Sequence, residues 1–382
     1  MVIMSLIKLT EEEEQILEYI KQFSEKEVKP LAKEIDEKKT VPEKIIKKMK
    51  ELGLFSTYIP KEYGGAGLSF SFLVRAIEEI SKACPSTALV LDGALTLFAD
   101  PLIMFGSEKL KKKYLPRVAQ GAIGGLALTE AEAGSDAASI RTRAEKKGDK
   151  FVINGTKIFI SNGRLAEFFV VDAVTDPEKG HRGISTFVVD SNIKGFKISR
   201  DIQKMGIRGS STVELEFDNV EVPEENLVGE LNRGFKVVMD TLDSGRIGIA
   251  AQALGIAQSA LDEAIEYIKG RKQFGKAISE FQGIQFLIAD LSTELEAARL
   301  ITYKAAEMFD NKENTIKISS MAKLFASDVA MKVTTESLQL FGGYGYTTEL
   351  SAERHMRDAK ITQIYEGTNQ IQRLIIAREL LK

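Results

Sequence analysis

Tryptophan is absent from the 382 residues, cysteine occurs once, histidine twice and proline eight times. The single thiol, Cys84, excludes an internal disulfide framework and any zinc site made of several cysteines. With only His181 and His355, and no H-E-x-x-H pair, a His/Cys zinc centre has too few ligands, so no metal is expected. Both imidazoles are read as solvated, His181 in a turn after Lys179 and Gly180, His355 between Arg354 and Arg357. A Ser-His-Asp hydrolase would have to draw its imidazole from one of these two.

An excess of either charge is missing as well. Lys and Arg total 52 against 55 Asp and Glu, which leaves no global basic field to gather nucleic acid. The most apolar long stretch, LVLDGALTLFADPLIMFG, is interrupted by Asp92, Asp100 and Pro101, so no membrane-spanning helix is expected there. The N-terminal MVIMSLIKLTEEEEQ turns acidic without a basic n-region or a small-residue cleavage site and does not read as a signal peptide. Together with the lone cysteine, this gives the expectation of a cytoplasmic protein without membrane insertion. No G-x-G-x-x-G occurs, which argues against a nicotinamide fold. GRKQFGKA, residues 270–277, fits G-x-x-x-x-G-K, but it follows a helical pattern and offers Ala277 where magnesium coordination needs Ser or Thr.

What is present is a large core. The chain is 44% hydrophobic and 28% charged, and its length predicts two or three subdomains. From Thr10, a predicted N-cap, Ile16, Leu17, Ile20 and Phe23 recur at helical spacing, and helical periodicity continues to about residue 118. The period then changes. FVINGTKIFISNG, EFFVVDAV, GISTFVVD and TVELEFDNVEV are short, β-branched or aromatic runs between turn residues, with Val213, Leu215 and Phe217 alternating with Glu214 and Glu216. After NLVGELNRG long helical segments return, at roughly 232–270, 281–311, 315–341 and 368–381. The predicted fold class is α+β, with a helical domain at 1–118, a β domain at 119–228 and a helical domain at 229–382.

Two stretches invite a chemical reading. LALTEAEAGSDAASI, residues 126–140, joins small residues, hydroxyls and a glycine, a composition whose backbone N–H groups can hold an anion, though a solvated loop looks the same. In ITQIYEGTNQIQRLIIAREL, residues 361–380, Glu366 sits between Tyr365 and Gly367 just ahead of a helix that Thr368 or Asn369 can cap, Gln372 completing a box after Asn369.

Taken in order, LALTEAEAGSD, NGTKIFISNG, MGIRGSSTVELEFDNVEVP, LDSGRIGIAAQALGIAQSALDEA, RKQFGKAISEFQ and LQLFGGYGYTTELSAERHMRDAKITQIYEGTNQIQR span nearly the whole chain, which resembles the acyl-CoA dehydrogenase family, most closely its short-chain, butyryl-type branch. The resemblance implies a helical domain, a middle β-barrel or sandwich domain and a C-terminal four-helix bundle, assembled as a homotetramer, with FAD between the last two. It implies that Leu126, Leu128, Thr129, Gly134 and Ser135 line the flavin and its pyrophosphate, Ser135 also lying near CoA, and that Phe159, Ile160 and Ser161 flank the isoalloxazine. Phe159 stands where many members carry Trp. Arg271, Phe274, Gln282 and the Gln339, Gly342, Gly343 stretch would reach the FAD of a neighbouring subunit, with Thr368 and Gln370 meeting it within the chain. Asp243, Ser244, Gly245 and Arg246 match the CoA-binding turn, Arg246 near the adenosine.

The same resemblance makes Glu366 the base that takes the substrate α-proton while the β-hydride passes to FAD, with Tyr365 keeping the carboxylate dry and Gly367 leaving room for the thioester. Some branches place the base near Gly245, a residue that cannot act as one. The implied electron acceptor is electron-transferring flavoprotein; an acyl-CoA oxidase would share the fold. A glutaryl-type enzyme would need a basic residue near Ala88, which is missing. Asp92 falls in the acyl pocket and is read first as a solvated or hydrogen-bonded residue at a helix break, second as a polar contact or second base for an alicyclic acyl-CoA. A helical scaffold with a β insert is the non-enzymatic alternative.

Overall fold

The computed structural model describes residues 9–382; the first eight residues, part of the stretch examined for a signal peptide, lie outside them. Seven α-helices come first: α1 (Glu11–Phe23), α2 (Ala32–Lys38), α3 (Glu43–Glu51), α4 (Phe70–Ala83), α5 (Pro85–Ala94), α6 (Asp100–Phe105) and α7 (Glu108–Ala119). Thr10 caps α1 as its position predicts: its side chain accepts from the Glu13 amide at 3.2 Å while Glu13 reaches back to the Thr10 amide at 2.9 Å.

Eight strands follow: β1 (Ile123–Ala127), β2 (Arg143–Lys147), β3 (Lys150–Ser161), β4 (Ala166–Val174), β5 (Ile184–Asp190), β6 (Phe196–Asp201), β7 (Thr212–Pro223) and β8 (Leu227–Val228). They form one sheet in the order β6-β7-β3-β2-β4-β5-β8, with β1 pairing parallel to β4. The alternation read in β7 holds, Val213, Leu215 and Phe217 being buried with Phe151, Phe169 and Phe187 in the sheet's own core. Four strands without a clear sequence signature, β1, β2, β6 and β8, complete the sheet.

The chain ends in α8 (Gly234–Gly270), α9 (Gln282–Asp310), α10 (Ile316–Leu340), α11 (Ala352–Thr362) and α12 (Asn369–Leu380). Between α8 and α9 the false nucleotide loop forms a small hairpin, β9 (Lys272–Gln273) and β10 (Lys276–Ala277), instead of a strand-to-helix turn. A single apolar cluster joins the first helical region to this bundle, including Leu17, Phe72, Phe98, Leu254 and Val329. The bundle also caps the other region. Asp310, the last residue of α9, accepts from the Phe70 and Ser71 amides at 2.7 and 3.0 Å, the orphan donors at the start of α4. Asp310→Ala should therefore cost about 1 kcal/mol, the usual worth of such a cap. Urea unfolding with an unchanged slope and a lowered midpoint would show it, whereas an unmoved midpoint would deny the cap any role.

Two readings need correction. The apolar stretch is not broken: Pro85–Phe105 is one helical run long and apolar enough to cross a membrane, and 78% of its apolar window is buried inside the protein. A wide π-type turn at Leu95–Ala99 links α5 to α6, and Pro101 is accommodated in the first turn of α6, where it needs no N–H partner. His355 is not solvated; it is 3% exposed, its Nε2 lies 3.2 Å from Glu263 Oε2, and its Nδ1 has no partner among the described residues.

Candidate active site

Glu366 lies in the turn between α11 and α12 with φ 52°, a left-handed backbone uncommon outside glycine, followed by Gly367 at φ 89°. The residue is half-buried, but its Oε2 is shut from solvent and has no hydrogen-bond partner among the described residues. It rests against Gly245 in α8, where an added Cβ would sit 2.0 Å from Oε2 and 3.0 Å from a Leu97 methyl. Glycine at 245 thus makes the space that the carboxylate occupies. Burial, and next the Asp92 charge, push the Glu366 pKa well above the ordinary value; Arg246 and Lys323 pull against them.

Asp92 enters the same space from α5. It is 1% exposed, its Oδ1 accepts from Thr96 Oγ1 at 3.0 Å, and its Oδ2 has no partner among the described residues. Its Oδ1 would be 2.2 Å from a Cβ on Gly248, one helical turn beyond Gly245. Of the first reading, the hydrogen bond is present but the solvation and the helix break are not: Asp92 is a buried carboxyl within a helix, and burial raises its pKa to about 7.

Tyr365 packs with Leu89, Ile207, Ile249 and Ile361, and its hydroxyl bonds Gln252. It closes the apolar side of the turn. Thr368, not Asn369, is the N-cap of α12, accepting from the Ile371 amide. The expected box after Asn369 does not form; Gln372 Nε2 donates to the carbonyls of Glu366 at 3.1 Å and Gly367 at 2.8 Å.

Asp243, Ser244, Gly245 and Arg246 lie inside the long helix α8, not in a turn or at a helix start, and all are buried. Arg246 Nη1 donates to Asp243 Oδ1 at 2.6 Å, and Ser244 Oγ donates to Asp100 Oδ2 at 2.7 Å. Arg246 accordingly faces the Glu366 neighbourhood, its charge opposing the burial of that carboxyl.

On the β domain, the Leu126–Thr129 and Phe159–Ser161 segments lie side by side: the Ile158 amide donates to the Thr129 carbonyl at 2.8 Å, and a Cβ on Gly125 would lie 3.0 Å from the Ser161 carbonyl. Leu128 and Ile160 are buried, Leu126 and Ser161 half-buried, and Gly134 and Ser135 exposed in the loop beyond. Phe159, at φ 61° and 59% exposed between buried Ile158 and Ile160, presents an open ring face. An apolar floor, an aromatic edge and hydroxyl donors suit a flat heteroaromatic ring with a polar tail, so these residues fit FAD.

Two contributors escaped the sequence reading. Lys157, fully buried, donates to the Leu128 carbonyl and to Glu130 Oε1, both at 2.8 Å, while Glu130 also accepts from the Arg141 and Thr142 amides at 2.6 and 2.9 Å. That buried pair shapes the 126–135 loop. Asn162 Nδ2 donates to the carbonyls of Val90 and Gly124, both at 3.2 Å, tying β1 to α5. A lysine pointing inward from a strand can be identified only after the register is known.

Arg271, Phe274, Gln282, Gln339, Gly342, Gly343 and Gln370 are all exposed on the single chain, Phe274 at 95%. The structure does not bring the first six to Glu366; they mark the hairpin between α8 and α9 and the end of α10.

The three parts of the fold coincide with three family matches: the N-terminal domain of acyl-CoA dehydrogenase over residues 10–122, its middle domain over 125–220 and its C-terminal domain over 232–381. The short-chain-specific acyl-CoA dehydrogenase of Clostridium acetobutylicum is 47% identical, covering 98% of this chain and 99% of that protein. Cyclohex-1-ene-1-carbonyl-CoA dehydrogenase of Syntrophus aciditrophicus is also 47% identical, over 98% and 91%. A chain solved in work on the electron transferring flavoprotein of Acidaminococcus fermentans superposes with a TM-score of 0.96 at 47% identity, over 98% and 99%. This chain belongs to the acyl-CoA dehydrogenase family and is an FAD-dependent oxidoreductase that dehydrogenates acyl-CoA thioesters.

Proposed function

We propose that the substrate is a short-chain acyl-CoA, that the product is the trans-2-enoyl-CoA and that Glu366 is the base. The observation that carries this reading is the unpartnered Glu366 oxygen, enclosed against Gly245 in a left-handed turn. A thioester α-proton is weakly acidic, so its removal needs a base held in place and kept from water. Burial supplies a carboxyl of raised proton affinity, and Arg246 and Lys323 supply positive charge that lets it ionise. The Glu366 and Gly367 amides have no backbone acceptor among the described residues and serve as donors to the thioester oxygen. Leu126, Leu128, Thr129, Gly134, Ser135, Phe159, Ile160 and Ser161, with Thr368 and Gln370, would hold FAD, which supplies the hydride acceptor. Exposed Arg271, Phe274, Gln282, Gln339, Gly342 and Gly343 would complete the cofactor site of another subunit in a homotetramer, and the physiological acceptor is an electron-transferring flavoprotein, the context in which a 47% identical chain was solved.

Asp92 favours a second reading. A second buried carboxyl with an unused oxygen suits a ring-bearing acyl-CoA, and one of the 47% identical relatives acts on cyclohex-1-ene-1-carbonyl-CoA. An anaerobic absorbance titration of the holoenzyme decides between them. Butyryl-CoA is expected to bleach the flavin at least tenfold faster than a cyclohexane-type thioester; the reverse order would replace the short-chain reading. Admitting air to the reduced enzyme should leave it reduced, whereas rapid peroxide formation would mark an oxidase.

A further inference from the structure

Lys323, on α10, is completely buried, and its two acceptors among the described residues are uncharged: the Gly367 carbonyl at 2.8 Å and Asn369 Oδ1 at 2.9 Å. Placing an ammonium where no carboxylate answers it directly is costly, and a methionine would fill similar space. The position of the ammonium shows what offsets that cost. The Gly367 carbonyl belongs to the residue after Glu366 and is gripped a second time by Gln372 Nε2. Asn369 is fixed in turn, its Nδ2 donating to Ser327 Oγ at 2.9 Å and Asp328 Oδ1 at 2.7 Å, and Gln363 Nε2 reaches the same Asp328 oxygen at 2.7 Å. Helix α10 therefore clamps both ends of the left-handed turn, and Lys323 is the charged member of the clamp.

We infer that Lys323 is a positioning residue for the base: it pins the turn that aims Glu366, and its charge, with that of Arg246, favours the ionised carboxylate against Asp92. The inference rests on the assignment of Glu366 as base. The charged and titratable groups around this pair are Asp92 from α5, Asp243 and Arg246 from α8, Lys323 and Asp328 from α10, and Tyr365 from the turn itself. Burial lowers the Lys323 pKa to about 7, and the nearby Glu366 charge opposes that fall. Each ionised group thus favours the other. The bond to the Gly367 carbonyl acts on geometry, and the charge acts on protonation, so the two contributions separate experimentally.

The test uses FAD-loaded Lys323→Gln, which keeps an amide donor without charge, beside Lys323→Met, which keeps neither. For Lys323→Gln the expected result is normal FAD content, a KM within about twofold, and butyryl-CoA bleaching at least tenfold slower at pH 7 that recovers as pH rises. Lys323→Met should be slower still at every pH. A purely structural residue would lower the rate uniformly; a uniform fall, or wild-type kinetics in Lys323→Gln, overturns the inference. Should neither variant retain FAD, Lys323→Arg, which keeps both the charge and the donors, is expected to keep the wild-type rise of rate with pH, and a rise moved upward with the charge retained overturns the inference. Glu366→Gln measured in parallel keeps the two claims apart: if it bleaches normally, the base assignment itself fails, and if it is silent while Lys323→Gln is wild type, only the lysine's role fails.

Discussion

Glu366→Gln should purify with FAD bound and still bind acyl-CoA, yet reduce its flavin roughly 10²- to 10⁴-fold more slowly on substrate addition, the range that a positioned general base contributes. Glutamine preserves the side chain's volume against Gly245 and can adopt the same left-handed backbone, so the pocket wall and the turn survive. What disappears is the capacity of the unpartnered, enclosed oxygen to take up a proton. Stopped-flow absorbance at the flavin band, with butyryl-CoA as substrate, measures the step directly. A spectrum of bound flavin with near-normal bleaching would remove Glu366 from the mechanism. A raised KM alone, with the maximal rate unchanged, would make it a binding residue.

The order of helix, sheet and helix was readable because each region keeps one hydrophobic period over many residues. The edges of the sheet were not. β6, Phe196–Asp201, is exposed at most positions and β8 has two residues, so neither needs an alternating pattern. The turn was visible as Tyr365-Glu366-Gly367 before a capped helix, and the family resemblance drew Gly245 and Asp92 towards it, but Gly248 on α8 and Lys323 on α10 were not visible, because they come from helices far away in sequence. Asp92 shows the limit most plainly. An aspartate in an apolar run looks like a break that seeks water; in the fold it stays helical because a glycine face on α8 leaves space beside it. Lys323 had no signal at all, since a lysine in an amphipathic helix is ordinarily on its wet side.

Asp92→Asn should shift the rise of activity with pH to lower values. Gly245 and Gly248 are three residues apart on one helix, so the Glu366 and Asp92 oxygens that crowd them occupy one face, with Cβ positions about 5–6 Å apart. Like charges on one face repel, so an ionised Asp92 makes the Glu366 proton harder to remove. With Glu366 as the proposed base, turnover needs its ionised form; asparagine removes the opposing charge, and the base ionises at lower pH. At a pH below the wild-type rise, the variant should therefore turn over butyryl-CoA faster than wild type. If Asp92 instead accepts a proton from a ring-bearing substrate, the same variant loses that activity while keeping butyryl-CoA turnover. An unshifted profile with intact flavin content would mean that the two carboxyls do not interact, and the shared face on α8 would then be a matter of packing alone.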